Sequence, residues 1–217
     1  MKEILQQTRI FLILFVFYLV VPSFTLLATA KGEFEIWLNS FHTIYFDNFF
    51  YWTTYFGDGF FAALILTFII VFVNIRKGVL ITGILLTVSA LTQILKLFMF
   101  PRSVRPIAFF KDTIELHFVP DLEIHSANSF PSGHTTQAFC MFFLFSFFVK
   151  NKSYQYLFFG IASLTAISRV YLLQHFLLDI YVGAIIGTIG SLICLQFVNQ
   201  KNLLSYPALN KPLINIR

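Results

Sequence analysis

His175 and Asp179 stand four residues apart, which on a helix puts an imidazole and a carboxylate on one face. A carboxylate so placed can hold one ring nitrogen as N–H and leave the other free to attack an electrophile. His134 follows Pro131-Ser132-Gly133, a run that opens a helix. Backbone N–H groups at such a start suit a phosphate. Gly133 lets the backbone come close, and His134 can protonate a leaving oxygen. Lys96, Arg105 and Arg169 add cations able to neutralise the oxygens of a transferring phosphoryl group. The chemistry these residue types permit is phosphoryl transfer. The cations would stand in place of a metal, so neither a metal nor another cofactor is expected. Taken singly, Pro-Ser-Gly is also a plain helix start, His175 a buried polar residue and Lys96 a side chain snorkelling to an interface. The combination, in order along the chain, favours a site.

The elements that must position these residues are apolar. Of the 217 residues 58% are hydrophobic and 12% charged, more apolar surface than a soluble domain of this length can hide. Lipid as solvent accommodates it. Six apolar segments run over about 10–29, 57–73, 78–100, 132–149, 154–168 and 180–198. A spanning helix needs about 20 residues, with about 17 as the usual minimum, and the fifth segment falls short. The expected fold is all-α: a six-transmembrane-helix bundle forming one domain over 1–217. The net charge of +5 comes from basic residues lying between apolar segments, a pattern of membrane orientation rather than nucleic-acid binding. Cys140 and Cys194 fall inside apolar segments and read as small packed hydrophobes.

The positive-inside rule places the N- and C-termini in the cytoplasm. Lys2, Arg9, Arg76, Lys77, Lys150, Lys152, Lys201, Lys211 and Arg217 then lie inside. Lys96, Arg105, His134, Arg169, His175 and Asp179 all reach the opposite, outer face, although other residues set the topology. Ala28-Thr29-Ala30 also resembles a signal-peptide cleavage site, but the apolar run before it is longer than a signal core, so a retained helix is expected.

Two outer stretches carry further patterns. Phe34, Trp37, Leu38, Phe41 and Tyr45 recur at helical spacing, which predicts an amphipathic helix in the interface, acting as an aromatic anchor or a lipid-entry surface. Residues 114–125 alternate apolar and polar, which permits a small β-hairpin turning at 119–121, with Glu115, His117, Glu123 and His125 on one face. That face reads as a solvated lid surface rather than a metal or headgroup site. His42 reads as interfacial, and Asp47 and Asp58 as loop or helix-cap residues.

Together these residues resemble the type 2 phosphatidic acid phosphatase family, whose soluble relatives include vanadium haloperoxidases. The family pattern is Lys-x6-Arg-Pro, Pro-Ser-Gly-His and Ser-Arg-x5-His-x3-Asp. Residues 131–134 and 168–179 match the second and third parts in full. In the first, eight residues rather than six separate Lys96 from Arg105. Pro106 restricts Arg105 to an extended conformation suited to a fixed guanidinium clamp, so the phosphate contact is assigned to Arg105. Arg102 is read as an interfacial or headgroup contact. The resemblance implies a phosphohistidine on His175, His134 as general acid and Asp179 as orienter. It also implies phosphate binding by Lys96, Arg105, Ser132, Gly133, His134 and Arg169. The implied activity is hydrolysis of a lipid phosphate or diphosphate at the outer leaflet, in a bacterial inner membrane. Substrates of this kind are undecaprenyl diphosphate, phosphatidylglycerol phosphate, phosphatidic acid and phosphorylated lipid A. The expected partners are a phosphorylated lipid and the bilayer, with no nucleic acid and no obligate protein. The rival readings are a lipid phosphotransferase and a non-catalytic lipid-binding or transport protein.

Overall fold

Every apolar segment of the sequence folds as a helix in the computed structural model, which describes residues 1–111, 113–120, 122, 125–201 and 209–214. A short α1 (Lys2–Gln7) leads into α2 (Arg9–Ala28). Two outer helices follow, α3 (Glu33–Asn39) and α4 (Ile44–Thr53), then a 3-10 turn over Thr54–Gly57. Next come α5 (Gly59–Phe68), extended by a π turn to Val73, and α6 (Ile75–Ile94), extended by another to Met99. After the one-turn α7 (Pro106–Phe109) come α8 (Gly133–Phe148), α9 (Tyr154–Tyr171) and α10 (Leu177–Gln200). Polar side chains start several of them: Thr43 accepts from the Phe46 N–H, Asp58 from Phe60, Asn74 from Lys77 and Ser132 from Thr135. Each satisfies an N–H that a helix start otherwise leaves without a partner.

The centre of the bundle is α8, packed against α6, α9 and α10. Its residues 138–144 are buried on every side. Gly183 and Gly187 let α10 approach closely. A Cβ on Gly187 would stand 2.5 Å from the Thr136 carbonyl oxygen, and one on Gly183 2.8 Å from that of Ser132. Phe17, Phe24 and Leu27 of α2, Leu86 and Leu91 of α6, and Ile193 and Phe197 of α10 are exposed. A soluble protein rarely exposes apolar surface on this scale, whereas hydrocarbon accepts it.

Among the described residues three helical stretches are long and apolar enough to cross a membrane: Arg9–Ala28, Ile75–Met99 and Leu177–Gln200. A fourth crossing results if Ile44–Gly57 and Gly59–Val73, bent by 59°, count as one span. The two remaining helices, α8 and α9, are the ones most enclosed by neighbours, and they carry the polar residues that a lipid-facing helix would lack.

Two expectations need correction. The single interfacial helix through Phe34 and Tyr45 is two helices, because the chain turns at 40–43 and Thr43 starts a new one. The hairpin over 114–125 lies partly outside the described residues, and 114–119 form no strand. Instead the backbone of His117 exchanges two hydrogen bonds with the Asn39 side chain, at 2.8 and 3.0 Å. Its ring stacks on His42 with centroids 4.2 Å apart, and its Nε2 lies 2.9 Å from Asp47 Oδ2. Asp47 also accepts from Tyr171 at 2.6 Å, so it docks the outer loop rather than capping a helix. The packing of side chains against α3 and α4 outweighs the local alternation that favoured a hairpin.

Candidate active site

One end of the bundle gathers the titratable residues. Lys96 sits in the terminal turn of the α6 extension, Arg105 just before α7, His134 in the first turn of α8, and Arg169 in the last turn of α9. His175 lies in the connection to α10, and Asp179 in the first turn of α10. That connection is tight. The Gln174 and His175 N–H groups both donate to the Arg169 carbonyl, at 3.0 and 3.1 Å, and Leu173 takes a left-handed φ of 53°. A reversal this close places the Arg169 and His175 backbones side by side, although five residues separate them in sequence.

Asp179 is the hub. Its Oδ2 lies 3.3 Å from His175 Nδ1, accepts the Phe176 N–H at 3.0 Å and accepts a short hydrogen bond from Ser129 Oγ. Ser129 Oγ is itself 3.5 Å from His175 Nδ1. With Nδ1 turned to Asp179, Nε2 is the ring nitrogen left for other chemistry. Burial, with the charges of Arg169, Arg105 and Lys96, holds His175 well below the usual histidine range. The ring is therefore neutral at neutral pH, as a nitrogen nucleophile must be.

Among the described residues, neutral groups hold the two arginines. Arg105 Nη1 donates to Gln174 Oε1 at 2.8 Å and its Nε to the Ala127 carbonyl at 2.9 Å. Burial lowers the Arg105 pKa from its ordinary value, while the Asp179 charge works in the other direction. Arg169 Nη1 donates to Thr54 Oγ1 at 2.7 Å, and its buried Nε makes no hydrogen bond among the described residues. Lys96 and Arg105 line a cavity of about 520 Å³ with residues 125–128. Arg102 is exposed and left-handed at φ 61°, outside this group. A π turn over Leu95–Met99 and a turn closed by the Ser103 N–H on the Phe100 carbonyl lie between Lys96 and Arg105, and both residues line one cavity.

The helix start at Pro131-Ser132-Gly133 differs from expectation in one respect. The Ser132 N–H donates to the Asp179 carbonyl at 3.1 Å, so it ties α8 to α10 and is not available to a phosphate. Proline has no N–H, which leaves those of Gly133 and His134 at the helix start. A Cβ on Gly133 would meet nothing within 4 Å, so this face is open to a ligand. His134 Nε2 lies 3.9 Å from Asp58 Oδ2.

Sequence reasoning missed Ser129, Glu35, Thr54, Gln174 and the approach of Asp58 to His134. Glu35 of α3 is 2% exposed, and its Oε1 accepts the Leu177 N–H at 2.7 Å, two residues beyond His175. Burial raises its pKa above the usual carboxylate value. Lys31 lies over the Phe176 and Phe109 rings, 4.3 and 5.0 Å from their centroids. The corner between α2 and α3 thus straps the segment that bears His175. Spacing could not reveal this, because the contact spans 142 residues. No local signal in the sequence marks Glu35 as buried.

Among the described residues no group of three or more His, Cys, Asp or Glu is placed to hold a metal ion. In comparisons with known proteins, a family model described as PAP2 superfamily matches residues 77–203. The structure is similar to that of LpxE from Aquifex aeolicus, with a TM-score of 0.67 and 27% identity over 78% of this chain and 97% of that one. It is also similar to a transmembrane PAP2 type phosphatidylglycerolphosphate phosphatase from Bacillus subtilis, with a TM-score of 0.62 and 24% identity over 92% and 98%. No curated protein matches the chain.

Proposed function

The chain belongs to the PAP2 superfamily, and on that basis we propose that it is an integral membrane lipid phosphatase working through a phosphohistidine on His175. The observation that carries the mechanism is the hold of Asp179 on His175 Nδ1 at 3.3 Å, reinforced by Ser129 on the same carboxylate oxygen. His175 Nε2 attacks phosphorus in line, and the bond from phosphorus to the ester oxygen breaks. His134 gives its proton to that oxygen. Water then attacks the phosphohistidine, His134 takes up a proton, and inorganic phosphate leaves. Lys96, Arg105 and Arg169, with the Gly133 and His134 N–H groups, neutralise the equatorial oxygens as charge develops. Arg169 Nε, buried without a partner among the described residues, suits a phosphoryl oxygen.

In this reading all six apolar segments cross the bilayer of a bacterial inner membrane, and the site faces outward. Substrates are lipids bearing a phosphate or diphosphate. The cationic cluster carries the positive charge, so a chelator should leave activity intact and vanadate should inhibit. Loss with chelator, restored by one divalent metal, would overturn metal independence.

The mechanism is tested by a trapping experiment on the purified chain with a lipid labelled in its terminal phosphate. His134→Ala should accumulate an acid-labile, alkali-stable label on the protein, and His175→Ala should carry none and release no phosphate. A lipid-binding or transport protein would bind the lipid and never label. A phosphotransferase would pass the label to an added acceptor in preference to water.

A further inference from the structure

His134 borders a second cavity, on the side of α6 facing α5 and α8, with a volume of about 200 Å³. That is room for about six or seven waters at ~30 Å³ each. Its polar lining is Ser89, Thr92 and Gln93 from α6 and Gln137 from α8, together with His134. The four residues other than the histidine are neutral. Gln137 Nε2 is buried and makes no hydrogen bond among the described residues. Gln93 is exposed although it lies in the apolar stretch Ile75–Met99. Polar side chains at membrane depth are costly and typically face cavities or substrate paths. The charged group beside His134 here is the Asp58 carboxylate, 3.9 Å from Nε2.

The position of this cavity says what it holds. The group that protonates the leaving oxygen stands next to whatever that oxygen carries, so the leaving group lies on the His134 side. Gln93 precedes Lys96 by three residues on one helix, a rise of ~4.5 Å. A lipid with its phosphate against Lys96 therefore brings the atoms just beyond the ester oxygen beside Gln93 and Gln137. A second phosphate there would meet amides and hydroxyls, with His134 the one lining group able to carry positive charge and the Asp58 carboxylate already beside it, and burying an anion so poorly compensated is unfavourable. A bare hydrocarbon would leave the Gln137 donor unpaired, which is also costly. A carbon skeleton bearing hydroxyl or ring oxygens meets neither objection. We propose that this cavity binds the leaving group, and that its neutral polar lining selects a phosphate monoester of a hydroxylated headgroup, a polyol or a sugar, over a lipid diphosphate. The inference rests on the phosphatase reading above.

The full chain in detergent micelles would be assayed for phosphate release from three probes: phosphatidylglycerol phosphate, phosphatidic acid and a polyprenyl diphosphate. The expected kcat/KM for the polyol ester exceeds that for the diphosphate at least tenfold. In Gln93→Leu and Gln137→Leu the preference for the polyol ester over phosphatidic acid should fall at least tenfold, mostly through KM. Gln137→Leu removes an unpaired donor, so its melting temperature should not drop. Gly59→Leu provides a second route, because Gly59 lines the same cavity and a Cβ there meets nothing within 4 Å. It should narrow the cavity and lower the same preference. A wild-type chain that favours the diphosphate, or variants that slow all three probes alike, would overturn the assignment. No release from any probe would instead sink the phosphatase reading, and this inference with it.

Discussion

At the residue scale the two arginines after the third apolar segment separate cleanly. Arg105 is buried, shares a cavity with Lys96 and is braced by Gln174 and Ala127. Arg102 is exposed. Losing one charge-assisted contact to a phosphoryl transition state costs roughly 2–4 kcal/mol, or about 30- to 1,000-fold in rate. Arg105→Ala should show that loss mainly in kcat, and Arg102→Ala a milder effect on KM. A dead Arg102→Ala beside a near-normal Arg105→Ala would exchange their roles. His175 gives a pH prediction. Its folded pKa is depressed, so below about 6.5 the unfolded chain binds a proton that the folded chain refuses. Stability then falls as pH drops through that value. Thermal melts of the wild type between pH 7.5 and 5 should lose more than those of His175→Ala over the same window. Equal losses would show that His175 titrates normally in the fold.

At the element scale the site depends on where α10 begins. Asp179 closes the first turn of that helix through the Phe176 N–H and also holds His175. The Ser132 N–H ties the start of α8 to the Asp179 carbonyl, and Glu35 reaches across from α3 to the Leu177 N–H. Removing the Glu35 carboxyl leaves a buried N–H without an acceptor, a cost of about 1–3 kcal/mol. Glu35→Ala should lower the melting temperature and kcat together, because the turn bearing His175 loses its brace. Glu35→Gln keeps an acceptor oxygen and should recover most of both. An alanine variant as stable and active as the wild type would show that α3 merely lies against the site.

At the scale of the whole molecule the basic residues divide by end. Lys96, Arg105 and Arg169 converge with the histidines, while Arg76, Lys77, Lys150 and Lys152 lie at the helix ends remote from them. Near the remote end Lys152 bonds Gln7, and Gln155 accepts the Phe11 N–H at 3.0 Å, joining α1 and α2 to the start of α9. By the positive-inside rule this end is proposed to be the cytoplasmic one. Single cysteines introduced into a chain lacking Cys140 and Cys194 can be labelled with an impermeant thiol reagent in intact cells. Labelling is expected in the 101–130 loop and not in the 150–152 loop. The reverse pattern would invert the topology and move the substrate to the inner leaflet.

How much the sequence could say follows from how local each cause is. Hydrophobic runs mark helices because a lipid-exposed backbone must satisfy its own hydrogen bonds. The spacings of 131–134 and 168–179 are short enough for one turn or one tight reversal to enforce, so those groups and the family were legible without coordinates. Element edges were less so: α9 extends three residues beyond the apolar run to Tyr171, because Tyr171 finds Asp47 at 2.6 Å. Contacts between distant segments were not legible at all. Nothing in the sequence near Ser129 says that it binds Asp179, nothing near Glu35 that it caps Leu177, and nothing near residue 132 that its N–H is already taken. The alternation at 114–125 even suggested a hairpin, where packing against Asn39, His42 and Asp47 governs the described part of the loop. The sequence by itself determined the helices and their apolar setting and marked the charged residues as candidates, because these depend on residue type and short spacing. Only the tertiary structure decided which neutral partners hold the cations, which N–H groups remain free and what lines the far side of His134, because those depend on which helix faces which.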